Sequence, residues 1–229
     1  MLSKRAVSTC RADDGPLTLF AIGSSSMQIV LGPMLTKRFG KDGLKVDFVG
    51  KSASGLARPD YFDWPTTVKT ALATHTPDVF VVDLGSNDGQ SLRELDGRWT
   101  SVNKAAEWKA EYGRRVDAML ALAAGPNLER AVIWIGPAAH SVDEKRARGR
   151  VVGDVIRERI TAFAGRAWYI DLFARSATED GGALWEMKVA GQAEPIPTRG
   201  KDGFHLTRAA VDEAMFKPLA ALLAPCHHK

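Results

Sequence analysis

Five short apolar runs, spaced by stretches of helical period, limit what this chain can fold into more than any other feature of it. The runs are LTLFAIG (17–23), KVDFVG (45–50), DVFVVDLG (78–85), RAVIWIGP (130–137) and AWYIDLF (167–173). Each is shorter than a buried helix, rich in β-branched and aromatic residues, and closed by Gly, Pro or a polar residue, the pattern of a strand buried on both faces. The segments between and after them predict helices over about 26–39, 65–75, 103–124, 143–165 and 208–223. Strands that alternate with helices pair in parallel through crossovers, and the crossover helices cover both faces of the sheet. With 229 residues, 45% of them hydrophobic, the chain is long enough for one such core. The expectation is a single α/β domain over 17–224, with an N-terminal extension at 1–16 and a tail at 225–229.

Composition excludes more than it assigns. There are 31 basic and 27 acidic residues, a formal charge of +4, and the basic residues are scattered rather than gathered in a stripe, so no nucleic-acid partner is expected. No stretch reaches the roughly 18 apolar residues of a membrane span. The start, MLSKRAVSTCRADDG, lacks the apolar centre of a secretory signal, which points to the cytoplasm unless a leader is missing from this numbering. Cys10 and Cys226 lie at opposite ends without the spacing of a metal or redox motif. No metal is expected, and a bridge between them, if the termini meet, would be accessory. Nothing in the sequence speaks to oligomeric state.

In an open parallel sheet ligands bind beyond the carboxyl ends of the strands, so the chemistry should stand just after each run. After the first come Ser24, Ser25 and Ser26; after the second, KSASGLARPDYFDW with Gly55; after the third, GSND with Asn87; after the fourth, GPAAH with His140. Beyond the fifth, and beyond an irregular Gly- and Pro-containing stretch at 174–203, stands KDGFHLT. A serine nucleophile needs a base in hydrogen-bond reach, an acid that holds the base in the right tautomer, and donors aimed at the developing oxyanion. Of the five histidines, His227 and His228 belong to the tail and His75 precedes the third strand, on the wrong edge of the sheet. His140 and His205 remain, and only His205 has a carboxylate, Asp202, three residues away in the same loop. By itself G-S-S-S is a turn and D-x-x-H a helix start; each acquires chemical meaning from the other.

The order of serine in the first block, glycine in the second, asparagine in GSND and histidine in DGFH resembles the SGNH branch of the GDSL hydrolases, over roughly residues 17–224. The resemblance implies a flavodoxin-like three-layer α/β/α sandwich with a five-stranded parallel sheet, an esterase activity and no cofactor. Carried over residue by residue, it implies Ser25 as nucleophile, His205 and Asp202 as base and acid, and an oxyanion hole made by the Ser25 and Gly55 N–H groups with the Asn87 amide. One departure stands out: the family's G-D-S reads G-S-S here, with Ser24 in the aspartate position. The nucleophile turn must then be held in another way, and Ser26 is a one-residue slip from Ser25. The stretch GLARPDYFDWP is similar to a bacterial subgroup associated with the cell envelope, which implies a periplasmic or envelope location and a small acyl ester, foremost acetyl, on a carbohydrate.

Several side chains stay open between two readings. Arg58 would position an anionic or hydroxyl-rich substrate, or form a surface ion pair; His140 would line the site, or be an ordinary loop histidine. Tyr61, Phe62 and Trp64 would stack on a sugar or pack in the core. The 174–203 stretch reads as a surface loop too polar to line a tunnel for a long acyl chain. VGKS at 49–52 resembles the end of a phosphate-binding loop, but Lys45 stands where that pattern needs glycine. The G-x-S-x-G elbow of the α/β-hydrolases is absent. An O-acyltransferase would use the same residues while excluding water, and Ser24 also suggests a glycan-binding domain without catalysis.

Overall fold

Alternate residues of the central strands point into two separate cores, and that sorting builds the molecule. The computed structural model describes residues 16–223. Its first half runs β1 (Thr18–Gly23), a π turn (Met27–Leu31) leading into α1 (Gly32–Lys41), β2 (Lys45–Gly50), α2 (Trp64–Leu72) and β3 (Val79–Asp83). A small hairpin of β4 (Leu92–Arg93) and β5 (Trp99–Thr100) precedes α3 (Ala105–Ala124), β6 (Ala131–Ile135), α4 (Asp143–Ala162) and β7 (Ala167–Ile170). The chain ends with α5 (Leu172–Ser176), a second hairpin of β8 (Glu186–Met187) and β9 (Ile196–Pro197), α6 (Arg208–Val211), another π turn (Asp212–Phe216) and α7 (Lys217–Leu223).

β1, β2, β3, β6 and β7 form one parallel sheet in the order β2-β1-β3-β6-β7. Phe20, Ile22, Phe80, Val82, Val132 and Trp134 pack with α2, α3 and α4 on one face. Leu19, Ala21, Val79, Val81, Ile133 and Ile135 pack with α1 and the C-terminal helices on the other. This is the three-layer α/β/α sandwich with a five-stranded parallel sheet that the sequence predicts. The two-residue period of a strand sends neighbours to opposite faces, and burial of both faces makes the runs of β1, β3 and β6 continuously apolar, whereas β2, at the edge of the sheet, is not buried on both faces and leaves Lys45 and Asp47 exposed. Trp134, fully buried, satisfies its indole N–H on the Leu84 carbonyl at 2.9 Å.

The register levels the ends of three strands: Gly23 pairs with Gly50 on one side and with Asp83 on the other. The strand order reverses between β1 and β3, so their carboxyl ends form the crevice in which such sheets bind ligands. The serine turn follows β1 directly.

The structure corrects three boundaries. AWYIDLF is a strand only as far as Ile170, because Asp171 caps α5 by accepting the Ala174 N–H on Oδ1 at 2.9 Å. The third helix begins at Ala105, not near Asn103. The 174–203 stretch carries the β8–β9 hairpin and the bridges Ala177–Ala183 and Arg199–Leu206. Arg199 staples it from within, donating to the carbonyls of Ser176 at 2.7 Å and Leu184 at 3.1 Å. Cys10, Cys226, His227 and His228 lie outside the described residues. Among the described residues no helix is long and apolar enough to cross a membrane, and no cluster of His, Cys, Asp and Glu could hold a metal ion.

Candidate active site

The serine turn is fixed from below by one buried carboxylate. Ser24 and Ser25 are buried, at 2% and 9% exposure, where the chain leaves β1 and begins to wind. Asp83, at the end of β3, receives the Ser26 hydroxyl on Oδ2 at 2.5 Å and the Met27 N–H on its carboxylate, and its main-chain oxygen accepts the Ser24 N–H at 3.2 Å. These contacts bracket Ser25 on both sides. Burial pushes the Asp83 carboxyl up to about 7, against the hydrogen bonds from Ser26 and Met27. With Ser26 committed to Asp83, the hydroxyl that faces the histidine is that of Ser25, whose Oγ lies 2.9 Å from His205 Nε2.

The loop before α6 supplies the histidine already oriented. Asp202 Oδ1 accepts the backbone N–H groups of Phe204 at 2.9 Å and His205 at 3.0 Å, while Oδ2 lies 2.6 Å from His205 Nδ1. The hydrogen bond from His205, followed by that from the Phe204 N–H, lowers the Asp202 carboxyl to about 2. An ionised carboxylate only accepts, so Nδ1 carries the hydrogen and Nε2 presents a lone pair to Ser25. The Ser25 hydroxyl therefore donates to Nε2. Thr207 then caps α6, its Oγ1 accepting the Ala210 N–H at 3.2 Å, which starts the helix three residues after the imidazole.

Gly55 and Asn87 meet through the residue before Gly55: the Asn87 amide donates to the Ser54 carbonyl at 2.9 Å. The Gly55 N–H has no acceptor among the described residues. Its loop is clamped from both polarities. Asp88, fully buried beside Asn87, accepts the Ala57 N–H on Oδ1 at 2.8 Å, bonds the Leu56 N–H, and accepts the Tyr112 hydroxyl on Oδ2 at 2.8 Å. Arg115 donates to the carbonyls of Leu56 at 2.8 Å and Ala57 at 3.3 Å, and is itself paired with Glu111 at 2.6 Å. A side chain at position 55 would put its Cβ 2.1 Å from Asp88 Oδ1, so only glycine lets the loop approach this closely.

The remaining sequence candidates separate. His140 stacks on Phe204 at 4.9 Å, and Phe204 meets the His205 ring edge-on at 4.8 Å, so His140 adjoins the base loop. Arg58 is spent elsewhere: it grips Asp60 with two bonds of 2.8 Å and lies 5.0 Å over the Trp99 ring. Trp64 is a core residue, fully buried, with its N–H on Ser54 Oγ at 3.1 Å; Phe62 packs beside it and Tyr61 is half exposed. Asp83, Asp88 and Arg115 were not singled out in the sequence. The only signal for Asp83 was an acid closing an otherwise apolar strand; for Arg115, on the amphipathic α3, there was none.

Beside Ser25 and His205 lies a cavity of about 30 Å³ walled by Ala138, Leu172, Phe204, Leu206 and Met215. It is a shallow hollow, open to solvent on one side. The arrangement as a whole can move a proton from a serine hydroxyl to an imidazole held by a carboxylate, next to the Gly55 N–H, which has no acceptor among the described residues.

Residues 18–219 match a family described as "Protein of unknown function (DUF459)". None of the curated proteins matches the chain. Among solved structures it is similar to a carbohydrate acetylesterase from Sinorhizobium meliloti, at 18% identity and TM-score 0.55, covering 90% of this chain and 99% of that one. It is similar also to the inhibitor-bound aryl esterase of M. smegmatis, at 15% identity and TM-score 0.57, over 92% and 99% of the two chains. A third is phospholipase A1 from Streptomyces albidoflavus NA297, at 13% identity and TM-score 0.55, over 90% and 99%. At these identities the likeness is one of fold, the α/β fold of the SGNH hydrolases. The three descriptions name different substrates on that one fold, so the fold does not choose between them.

Proposed function

The chain belongs to the DUF459 family, whose description leaves function open, and on the geometry around Ser25 we propose that it is a serine esterase that hydrolyses short-chain O-acyl esters, foremost O-acetyl esters of a cell-envelope carbohydrate. The observation that carries this reading is the hydrogen-bonded chain from Ser25 Oγ through His205 to Asp202, at 2.9 Å and 2.6 Å. In this mechanism His205 Nε2 takes the Ser25 proton as Oγ attacks the ester carbonyl. The resulting oxyanion is held by the N–H groups of Ser25 and Gly55 and by the Asn87 amide. The imidazolium, stabilised by Asp202, returns its proton to the departing sugar oxygen, and the acyl group stays on Ser25. Water, deprotonated by the same imidazole, then attacks the acyl-enzyme, and the imidazolium returns that proton to Ser25 Oγ as the acyl bond breaks and the acid leaves. No cofactor takes part.

The cavity beside Ser25 supports a small acyl group. The description of the Sinorhizobium meliloti neighbour and the GLARPDYFDWP stretch favour a carbohydrate of the envelope over a lipid.

The test is hydrolysis of an aryl acetate and an acetylated oligosaccharide by the wild type and by Ser25→Ala, Ser24→Ala and Ser26→Ala. Ser25→Ala should be inactive and refuse an active-site phosphonate, whereas the other two variants should keep a measurable rate. An active Ser25→Ala alongside a dead Ser26→Ala would overturn the assignment.

A further inference from the structure

Ser24 stands where the SGNH hydrolases carry aspartate, so the nucleophile turn has no acid of its own. The acid comes instead from the neighbouring strand. Asp83, 3% exposed and last in β3, accepts the Ser26 hydroxyl on Oδ2 at 2.5 Å, the Met27 N–H on its carboxylate and the Ser24 N–H on its main-chain oxygen at 3.2 Å. Three of the four residues from Ser24 to Met27 are thus bonded to one residue, and the one left over is Ser25. The fit has no slack: a Cβ at Gly23 would stand 2.6 Å from Met27 Cβ and 2.8 Å from Asp83 Cβ. Whatever moves Asp83 moves the turn.

The strength of this hold depends on one proton. An ionised carboxylate only accepts, so Ser26 and the Met27 N–H both donate to a charged group, and such bonds are roughly twice as strong as neutral ones. Protonation leaves both bonds between neutral partners. Burial pushes the carboxyl up to about 7, so both forms are populated near neutrality. The surroundings hold no charge that would fix either form. β1 brings Gly23 alongside, and β6, on the other side, is apolar over Ala131–Ile135. His205 bonds Ser25 and Asp202, not Asp83. The helices that cover this face carry Lys37, Lys41 and Arg208, all exposed, and the pairs Arg38–Asp212 and Lys217–Glu213. Burial and the bonds from Ser26 and Met27 alone set the ionisation of Asp83.

We propose that Asp83 is a positioning residue of the reaction, which through Ser26 and the N–H groups of the turn aims Ser25 Oγ at His205, and that the turn is productive when this carboxylate is ionised. When Asp83 takes up a proton the grip on Ser26 and Met27 weakens, and Ser25 Oγ leaves the 2.9 Å approach to Nε2. Proton transfer and attack are sensitive to displacements of that kind. Two groups, His205 and Asp83, must therefore both lose a proton before turnover.

This inference rests on the esterase reading, and rates on an aryl acetate from about pH 5 to about pH 9 test it. For the wild type the acid limb of log kcat/KM should approach a slope of two, and for Asp83→Asn, which keeps an acceptor for Ser26, a slope of one. Well above neutrality, Asp83→Asn and Ser26→Ala should each lower kcat roughly tenfold with KM little changed. The double variant should be no slower than the slower single one, because the two side chains act as a unit. Ser26→Ala removes a bond that holds the carboxyl down, so its acid limb should move to higher pH, which keeps the test open should Asp83→Asn not fold. Equal slopes in wild type and Asp83→Asn, an unmoved limb in Ser26→Ala, or effects that multiply in the double variant would overturn the proposal. The Met27 amide resonance reads the same proton without turnover: it should titrate with a midpoint of about 7 in the wild type and stay fixed in Asp83→Asn. No hydrolysis of the aryl acetate by the wild type would sink the esterase reading alone, whereas a Met27 amide that does not titrate would remove the ionisation through which Asp83 acts.

Discussion

At Asp83 a carboxylate is buried under the serine turn with hydrogen-bond donors around it but, among the described residues, no ion pair. Its folded pKa of about 7 lies above the ordinary value of 3.8. Between those two pH values the native state holds the proton and the unfolded state does not, so stability falls as pH rises from about 4 to about 7. About three pH units at 1.36 kcal/mol each set a ceiling of about 4 kcal/mol on that loss. Asp83→Asn keeps an acceptor for Ser26 and loses the titration. Its melting temperature should be flatter than that of the wild type from pH 4 to pH 8, and an unchanged slope would show that another group titrates. Asp202 works with the opposite sign: its lowered pKa adds stability above about pH 4, which is lost only as pH falls towards 2. For Asn87, deletion of one oxyanion donor gives the scale, so Asn87→Ala should cost roughly 10²–10³ in kcat on an acetyl ester. A fully active variant would leave GSND as a turn and nothing more.

Among the elements, the loop between β2 and α2 is the one whose shape is imposed from outside. It has no regular structure of its own, and its carbonyl and N–H groups are satisfied by Arg115 from α3 and by Asp88 from the end of the next strand block. Gly55→Ala tests that fit. The 2.1 Å approach to Asp88 Oδ1 forces the loop or the buried carboxylate to shift, which moves the Gly55 N–H and disturbs the Asn87 tether to Ser54. The expected outcome is a lower melting temperature together with a loss of about 10² in kcat, while the aryl ester KM changes little. Normal turnover with a lowered melting temperature would place Gly55 in the fold and outside the chemistry.

For the whole molecule, two hollows set the expectation for acyl size. The one beside Ser25 and His205 is about 30 Å³; a second, about 320 Å³ and lined by Leu56, Phe62, Trp64 and Leu95, lies on the other side of the Gly55 loop. A buried methylene gains roughly 0.8 kcal/mol only where an apolar wall receives it. On matched aryl esters kcat/KM should be highest for acetyl and fall beyond butyryl. A maximum at octanoyl or longer would assign the larger hollow to the chain and make the protein a lipid esterase. The pH profile of the acetyl ester belongs to the same scale. Because Asp202 stays ionised down to about pH 2, a rate that rises with pH and then levels reports the imidazole that must be free to accept the Ser25 proton. A flat profile would argue against a histidine base.

The sequence by itself determined that five strands build one parallel sheet. A strand buried on both faces writes its state into four to seven consecutive residues, and alternation with helices leaves parallel pairing as the outcome. The order of Ser25, Gly55, Asn87, Asp202 and His205 was legible for the same reason, since each follows a strand or opens a helix. What holds them was decided only in three dimensions. Ser25 and His205 lie 180 residues apart and Ser26 and Asp83 lie 57 apart, so which of the serines faces the imidazole depends on strand register and on one buried acid. The fates of Arg58, taken by Asp60 and Trp99, and of Trp64, taken by the core, were likewise settled by neighbours. Hydrophobic period is a local property that a chain carries everywhere along its length, whereas a polar side chain has no meaning until the fold supplies its partner.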